Sequence, residues 1–175
     1  PVVSLLLVAL AYAGLGTAVF QKRADGRLTM AARWLLAPYL GAAWVNSRLW
    51  TRRAPHPVPV MDDVWLGRIP CAALPTPLVG VVDTCAELSC RAPGAAYASV
   101  PMLDLVVPAP EQLREAAEAI ERLHECGPLL VCCALGYSRS AASVATWLLR
   151  SGRAADADAA VAIVRAARPG IVLGA

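Results

Sequence analysis

Two adjacent cysteines open the segment of this sequence whose residue types could do chemistry, CCALGYSRS (132–140). An apolar run, PLLV, precedes them, and a helical pattern, AASVATWLLR, follows. Adjacent cysteines can be disulfide partners, metal ligands or nucleophiles, so the spacing of the neighbouring residues has to decide among these roles. Counted from Cys133, five residues lead to Arg139, and a hydroxyl side chain, Ser140, comes next.

The spacing from Cys133 to Arg139 suits the binding of a tetrahedral oxyanion. Backbone N–H groups are unpaired where a loop enters a helix, and they bind anions there. Gly136 permits the positive φ that such a cradle often needs, and the planar guanidinium of Arg139 can hold two oxygens. The same surroundings can lower a cysteine pKa from about 8.5 to roughly 3.5–7.5. Cys133 is therefore a candidate nucleophile toward a bound phosphate.

The elements around this loop alternate between strands and helices. We predict strands at 63–69, 77–83, 97–104 and 128–133, and helices at 109–126, 138–151 and 154–168. This alternation is typical of an α/β domain whose largely parallel sheet is covered by helices. We place that domain at residues 60–175, after a proline-rich linker at 51–59.

The first fifty residues carry the apolar excess of a chain that is 58% hydrophobic, against about 45–50% for a typical soluble domain. Residues 1–20 have no charge, and as a helix they match a hydrocarbon core of about 30 Å. Residues 30–50 are apolar but interrupted by polar side chains. We predict a second membrane helix there, with an in-plane interfacial helix as the alternative. Residues 1–50 are thus predicted to form a transmembrane helical hairpin.

Two functional classes are disfavoured by the composition. The net charge of +3 is small and dispersed, which argues against nucleic acid as a partner. No C-x2-C pair occurs, and His56 and His124 are isolated, so we expect no zinc site. The remaining cysteines are predicted to be mostly small buried hydrophobes in a reduced compartment.

The segment CCALGYSRSA resembles the signature loop of the cysteine-dependent dual-specificity and protein tyrosine phosphatases, His-Cys-x5-Arg-Ser/Thr. Other stretches are similar to the family in the same order: DVWLGRIP, VVDTCAEL, SVPMLDLVVP, the helix at 110–126, and AAVAIVRAARPGIVL. Together they cover about residues 60–174. The resemblance implies a protein-tyrosine-phosphatase-like α/β fold and hydrolysis of phosphomonoesters through a phosphocysteine, without metal or cofactor.

The resemblance also implies a role for each matching position. Cys133 corresponds to the nucleophile, Arg139 to the transition-state clamp, and Ser140 to the hydroxyl that helps to expel the thiolate. Asp104 corresponds to the general acid, and Asp83 is the alternative acid or else a structural residue. The phosphate cradle is expected from the backbone of Ala134, Leu135, Gly136, Tyr137, Ser138 and Arg139.

Cys132 stands where the family pattern has histidine, a residue that orders the loop and tunes the thiolate. Neighbouring side chains on a strand face opposite ways, so we expect Cys132 to pack into the core. A vicinal disulfide with Cys133 is an alternative. A redox partnership of Cys133 with Cys71 or Cys85 is another.

The sequence is compatible with three functions. The first is a membrane-tethered phosphatase of phosphoprotein, acting on Tyr, Ser or Thr. The second is a lipid phosphatase acting on a single-phosphate head group, such as phosphatidylglycerophosphate, or on a phosphoinositide. The third is an inactive phosphate-binding pseudophosphatase.

A thiolate nucleophile needs a reducing setting, so we expect the domain to face the cytoplasm. Some bacterial family members resemble this chain in joining membrane helices to such a domain, which implies a bacterial inner membrane.

Overall fold

A computed structural model describes residues 1–173 and shows an α/β fold with a mixed sheet of five strands. The strands are β1 (Val58–Met61), β2 (Val64–Arg68), β3 (Gly80–Cys85), β4 (Ala96–Met102) and β5 (Leu129–Cys133). They lie in the order β1-β2-β5-β3-β4. Only β1 is antiparallel to its neighbour, and the other pairings are parallel. The predicted fold class and largely parallel sheet are therefore confirmed.

Strand β5 lies at the centre of the sheet because its residues are apolar on both faces. All of its residues are buried. Val131 packs into the cluster formed with the helices that follow the sheet in sequence. Leu130 and Cys132 pack into the cluster on the other face. Cys133, the last residue of this strand, therefore lies at the C-terminal end of the central strand and is held in place by the packed core.

Three helices cover one face of the sheet. They are α4 (Pro110–His124), α5 (Arg139–Arg150) and α6 (Ala157–Ala167). Each is amphipathic, and their apolar sides form a single core with the strands, in which Ile120, Val144 and Trp147 are buried. Asp156, the residue before α6, caps its N-terminus by accepting a hydrogen bond from the N–H of Ala159 at 2.8 Å. These bounds lie inside the predicted helices.

The N-terminal residues contain one segment, Val2–Phe20, that is long and apolar enough to cross a membrane. It is not a straight helix. Helix α1 (Val2–Leu10) passes into a π turn at Ala11–Leu15 and a 3₁₀ turn at Gly16–Phe20, and Gly14 has the non-helical φ of 140°. Ala11 and Phe20 are buried against Ala86 of the α/β core, while most of the other side chains are exposed.

Residues 30–50 do not form the predicted second spanning helix, so the hairpin is corrected to one candidate span. Two shorter helices occupy this stretch, α2 (Met30–Leu35) and α3 (Ala37–Trp50). The break lies at Leu36, two residues before Pro38, whose ring cannot continue a helix without disrupting the preceding turn. Helix α3 then packs on the α/β core, where Ser47 is buried.

Strand β1 was missed by the sequence prediction, since it begins inside the proline-rich stretch assigned as a linker. Pro59 lies in β1 at the edge of the sheet. An edge strand tolerates proline because its outer side has no partner for the missing N–H.

Candidate active site

The loop between β5 and α5 brings Cys133 and Arg139 together at the N-terminus of α5. Gly136 has φ 77°, and a Cβ atom at this position would lie 2.4 Å from the carbonyl carbon of Gly67. Only glycine fits, because both the backbone conformation and the close approach of β2 exclude a side chain. The sequence prediction that Gly136 shapes the loop is thus explained by two separate constraints.

The Cys133 thiol lies at the base of this loop and is only 2% exposed. Its Sγ accepts hydrogen bonds from the N–H of Gly136 and the hydroxyl of Ser140, each at 3.2 Å. Burial opposes ionisation, but Arg139, the Ser140 hydroxyl and the N–H groups of Ser140 and Gly136 outweigh it. The net effect holds the pKa of Cys133 below its usual value. These contacts favour a thiolate.

Arg139 is fully buried and held by three acceptors. One terminal nitrogen donates to Glu87 at 2.7 Å and to the carbonyl of Met102 at 2.8 Å. The other lies 3.0 Å from the carboxylate of Asp104. Its Nε has no partner among the described residues, which leaves one buried donor for a ligand.

Glu87 is the site residue that sequence reasoning missed. One of its oxygens pairs with Arg139, and the other accepts the backbone N–H of Asp104 at 2.8 Å. Burial raises the pKa of Glu87, but Arg139 and these hydrogen bonds more than offset that and hold it below its usual value. Glu87 therefore ties the arginine to the segment that carries the candidate acid. A lone glutamate within the apolar run TCAELSC was the available signal.

Asp104 lies at the site, and its side chain is 32% exposed. The alternative acid, Asp83, does not lie there. Its buried carboxylate contacts the Lys22 ammonium at 2.5 Å and accepts the Tyr97 hydroxyl at 2.7 Å. The structural reading of Asp83 is confirmed, since its side chain is fully occupied by these partners.

Cys132 packs into the core, as predicted. It is completely buried, on the face of the sheet opposite α4–α6, together with Ile69 and Val81. Burial and the neighbouring Cys90 raise the pKa of its thiol well above the usual value. All six cysteines are free thiols, so neither disulfide alternative is present in the structure.

Two further contacts that the sequence did not predict hold the loop from outside. The hydroxyl of Ser47 in α3 donates to the carbonyl of Ala134 at 2.6 Å. Arg168, which follows α6, donates to the carbonyl of Leu135 at 3.2 Å and stacks on the ring of Tyr137 at 4.5 Å. The loop is thus held by one residue before the α/β sheet, Ser47, and one after the last helix, Arg168.

A cavity of about 250 Å³ lies beside the loop. Ala134 and Leu135 form one side of it, and Glu87 and Asp104 another. Helix α3 supplies most of the rest with Tyr39, Ala42, Ala43, Asn46 and Ser47. Within residues 1–173 no group of His, Cys, Asp or Glu side chains could hold a metal ion. The polar side chains that line this cavity belong to Tyr39, Asn46, Ser47, Glu87 and Asp104, and its loop side begins at Ala134, the residue after Cys133.

Comparison with known proteins places this fold among cysteine-based phosphatases. No protein-family model matches the chain, and no curated protein matches it. A mouse putative dual specificity phosphatase, solved with zinc tungstate, has a TM-score of 0.60 and 27% identity over 69% of this chain and 80% of its own. Human DUSP28 has a TM-score of 0.59 and 26% identity, with 67% and 87% covered.

PTPMT1 in complex with PI(5)P shares the fold at lower identity. Its TM-score is 0.54 at 18% identity, covering 66% of this chain and 85% of the other. The solved structures similar to this chain include dual-specificity and protein tyrosine phosphatases, which supports the resemblance found in the sequence.

Proposed function

We propose that the chain is a cysteine-dependent phosphatase that hydrolyses phosphomonoesters through a phosphocysteine. The observation that carries this proposal is the Cys133 sulfur, which accepts two hydrogen bonds at the base of an anion cradle. The neighbouring Arg139 has a buried donor without a partner among residues 1–173. A thiolate and an arginine donor at the two ends of one loop suit nucleophilic attack on a bound phosphate.

In the first step, the phosphate binds to the backbone N–H groups of residues 134–139 and to Arg139. The Cys133 thiolate attacks phosphorus in line, a sulfur–phosphorus bond forms, and the bond to the ester oxygen breaks. Asp104 gives its proton to the leaving alkoxide, which departs as the alcohol. Phosphate binding competes with Asp104 for Arg139 and so frees the carboxyl group for this role.

In the second step, water attacks the phosphocysteine and inorganic phosphate leaves. Asp104, now a carboxylate, accepts the proton of the attacking water. The sulfur–phosphorus bond breaks and the thiolate is regenerated. The Ser140 hydroxyl, which already donates to this sulfur, stabilises the developing negative charge.

The proposed substrates are phosphorylated Tyr, Ser or Thr side chains of proteins. The similarity to two dual-specificity phosphatases at 26% and 27% identity supports this class. A phospholipid with a single phosphate, or a phosphoinositide, is the second candidate. The observation that favours a lipid is the apolar stretch after Asp104, in which Leu105 is 97% exposed.

We also propose that the N-terminal segment holds the domain at a membrane, with the site facing the cytoplasm of a bacterial cell. Val2–Phe20 supports this by its length and composition. A reduced compartment is required because the mechanism uses a free thiolate.

Hydrolysis of an aryl phosphate by wild type and Cys133→Ser tests the mechanism. We expect activity in wild type and none above background in the variant. Cys126→Ser is the matched control, because Cys126 is an exposed free thiol outside the site. Activity that survives Cys133→Ser would refute the mechanism, and an inactive wild type that still binds phosphate would indicate the pseudophosphatase. Turnover of phosphopeptides against phospholipid vesicles then chooses the substrate class.

A further inference from the structure

A second, larger cleft lies on the other side of α3 from the catalytic cavity. Its volume is about 1180 Å³. One wall is a stripe along α2 and α3 at helical spacing, formed by Met30, Arg33, Ala37, Leu40, Trp44 and Arg48. The segment 87–93 forms the opposite wall, and the turn at 23–28 closes one end. Neither the phosphate loop nor the proposed mechanism uses this cleft.

The cleft concentrates positive charge in a chain whose net charge is only +3. Five arginines line it, namely Arg23, Arg27, Arg33, Arg48 and Arg91. The carboxylates among the lining residues are Asp25 and Glu87, and Glu87 is already paired with Arg139. Asp25 lies 3.8 Å from Arg23 in an exposed pair, which neutralises little at that distance.

Several of these arginines are available to a ligand. Within residues 1–173, the side chains of Arg27 and Arg91 are exposed and form no ion pair. Arg48 reaches the carbonyl of Ile69 only at 3.3 Å or more, and its buried Nε has no described partner. A multivalent anionic surface would satisfy these donors.

Exposed apolar side chains lie on the wall of the cleft that α2 and α3 form. Trp34, which lies in α2, is 76% exposed, and Met30 and Trp44 lie on the cleft wall itself. The N-terminal stretch Val2–Phe20 separately exposes the apolar side chains of Val2, Val3, Leu5, Leu6, Leu10 and Leu15. Arginine together with tryptophan and aliphatic side chains is the combination found where a protein lies in the interface of a bilayer.

We propose that this cleft binds the phosphate head groups of anionic phospholipids, while the exposed side chains of Met30, Trp34 and Trp44 enter the bilayer interface. An acidic peptide would match the arginines, but it would leave the exposed tryptophans in water. The bilayer satisfies both the arginines and the tryptophans. This inference rests on the proposed membrane attachment and names the head group and the cleft that binds it, but it does not depend on hydrolysis at Cys133.

The position of the cleft connects docking to the catalytic site. Glu87 and Leu88 line both the cleft and the catalytic cavity, and α3 separates the two. A head group held between α3 and the segment 87–93 therefore lies next to the cavity mouth. Docking in this manner presents the site to substrates at the membrane surface.

Vesicle binding by the full chain tests the proposal, with Cys133→Ser used so that catalysis plays no part. We expect stronger partitioning onto phosphatidylcholine vesicles with about one fifth phosphatidylglycerol than onto phosphatidylcholine alone. Arg27→Gln combined with Arg91→Gln should weaken binding to the anionic vesicles roughly 25-fold, because each arginine near such a surface contributes about a factor of five. Higher salt concentration should also weaken binding to the anionic vesicles, because it screens the attraction between the arginines and the head groups.

The matched control is Arg122→Gln combined with Arg165→Gln, which removes the same charge from exposed positions on α4 and α6. It should change binding by less than about twofold. A control pair that weakens binding as much as the cleft pair would overturn the site, because net charge alone would then explain the attraction. Equal binding to both vesicle types would also overturn it.

Tryptophan quenching separates head-group binding from simple insertion of Val2–Phe20. In mixed vesicles, bromine on the phosphatidylglycerol chains should quench the exposed tryptophans more than the same mole fraction on phosphatidylcholine. The cleft pair of substitutions should remove that difference. Equal quenching by the two lipids in the unsubstituted cleft would contradict the proposal even if the protein stays bound.

Discussion

The loop at residues 133–140 and the first fifty residues differ in where their side chains find contacts. In the loop, the sulfur of Cys133 and most of the guanidinium of Arg139 have partners inside the protein. In the N-terminal segment, large apolar side chains such as Leu5 and Trp50 remain exposed. The loop residues are thus held largely by contacts within the chain, whereas the first fifty residues leave an apolar surface exposed.

A few polar contacts join these two regions. Lys22 pairs with the buried Asp83 and donates to the carbonyls of Cys85 and Leu88. Ser47 holds the loop at Ala134. The first fifty residues are therefore packed on the α/β domain and are not a detached anchor.

The largest expected effect is on catalysis, from Asp104→Asn. Turnover should fall by about 10²–10⁴, because the leaving group loses its proton donor. The loss should shrink for phosphate esters whose alcohol is a strong acid. Steady-state kinetics on two aryl phosphates measures this, with Asp158→Asn, at an exposed aspartate on α6, as the control. Equal losses for both esters would contradict the role of Asp104 as acid.

The next largest effect is the loss of stability expected when the ion pair between Lys22 and Asp83 is broken. Lys22→Met should lower the free energy of unfolding by about 3–5 kcal/mol, because the carboxylate of Asp83 stays buried without its partner. Urea denaturation measures it, and Lys22→Met with Asp83→Asn should recover part of the loss. Arg23→Met, at the exposed neighbouring position, is the control. Unchanged stability in Lys22→Met would mean that the N-terminal segment does not pack on the core.

A smaller effect is expected within the loop, from Ser140→Ala. Removing the hydroxyl donor raises the pKa of Cys133, since a charge-assisted hydrogen bond to the thiolate contributes about 1.5–3 kcal/mol. The acidic limb of kcat/KM, which rises as the thiolate forms, should therefore move about one to two pH units higher. Ser143→Ala, on the same helix, is the control because its hydroxyl bonds to the Arg139 carbonyl instead. An unmoved limb would show that Ser140 does not act on the thiolate.

The smallest effect is expected at the neighbouring cysteine. Cys132→Ala should cost about 1 kcal/mol of stability, like the loss of one buried methyl group, and leave kcat/KM within about twofold. Its thiol is buried on the sheet face opposite α4–α6, and the described hydrogen bonds of the Cys133 sulfur come from Gly136 and Ser140, so we expect no direct effect of Cys132 on the nucleophile. A large drop in activity without loss of stability would give Cys132 the role that the family assigns to histidine.

The sequence predicted the fold class and the central residues of the loop because both depend on local pattern. Periodicity gave the parallel strands and amphipathic helices, and the count from Cys133 to Arg139 identified the two residues that the loop brings together. Glu87 and Arg168 could not be found in this way. Their roles arise from contacts with residues far away in sequence, such as Arg139 and Leu135.

The second membrane helix failed as a prediction for a related reason. Hydropathy records how apolar residues 30–50 are, but it does not record that Ser47 and Arg48 bond to the α/β core. The proline break and these tertiary contacts turn the stretch into a wall of the catalytic cavity. An apolar sequence can therefore cover a site and still leave one side free for a membrane.

The most direct test of the central claim is to trap the phosphocysteine. Asp104→Ala, mixed with an aryl phosphate and quenched in acid, should yield a peptide containing Cys133 that carries one phosphoryl group by mass spectrometry. The same experiment with Cys133→Ser should yield none. A phosphoryl group on another residue, or rapid hydrolysis without any phosphorylated Cys133, would contradict the account.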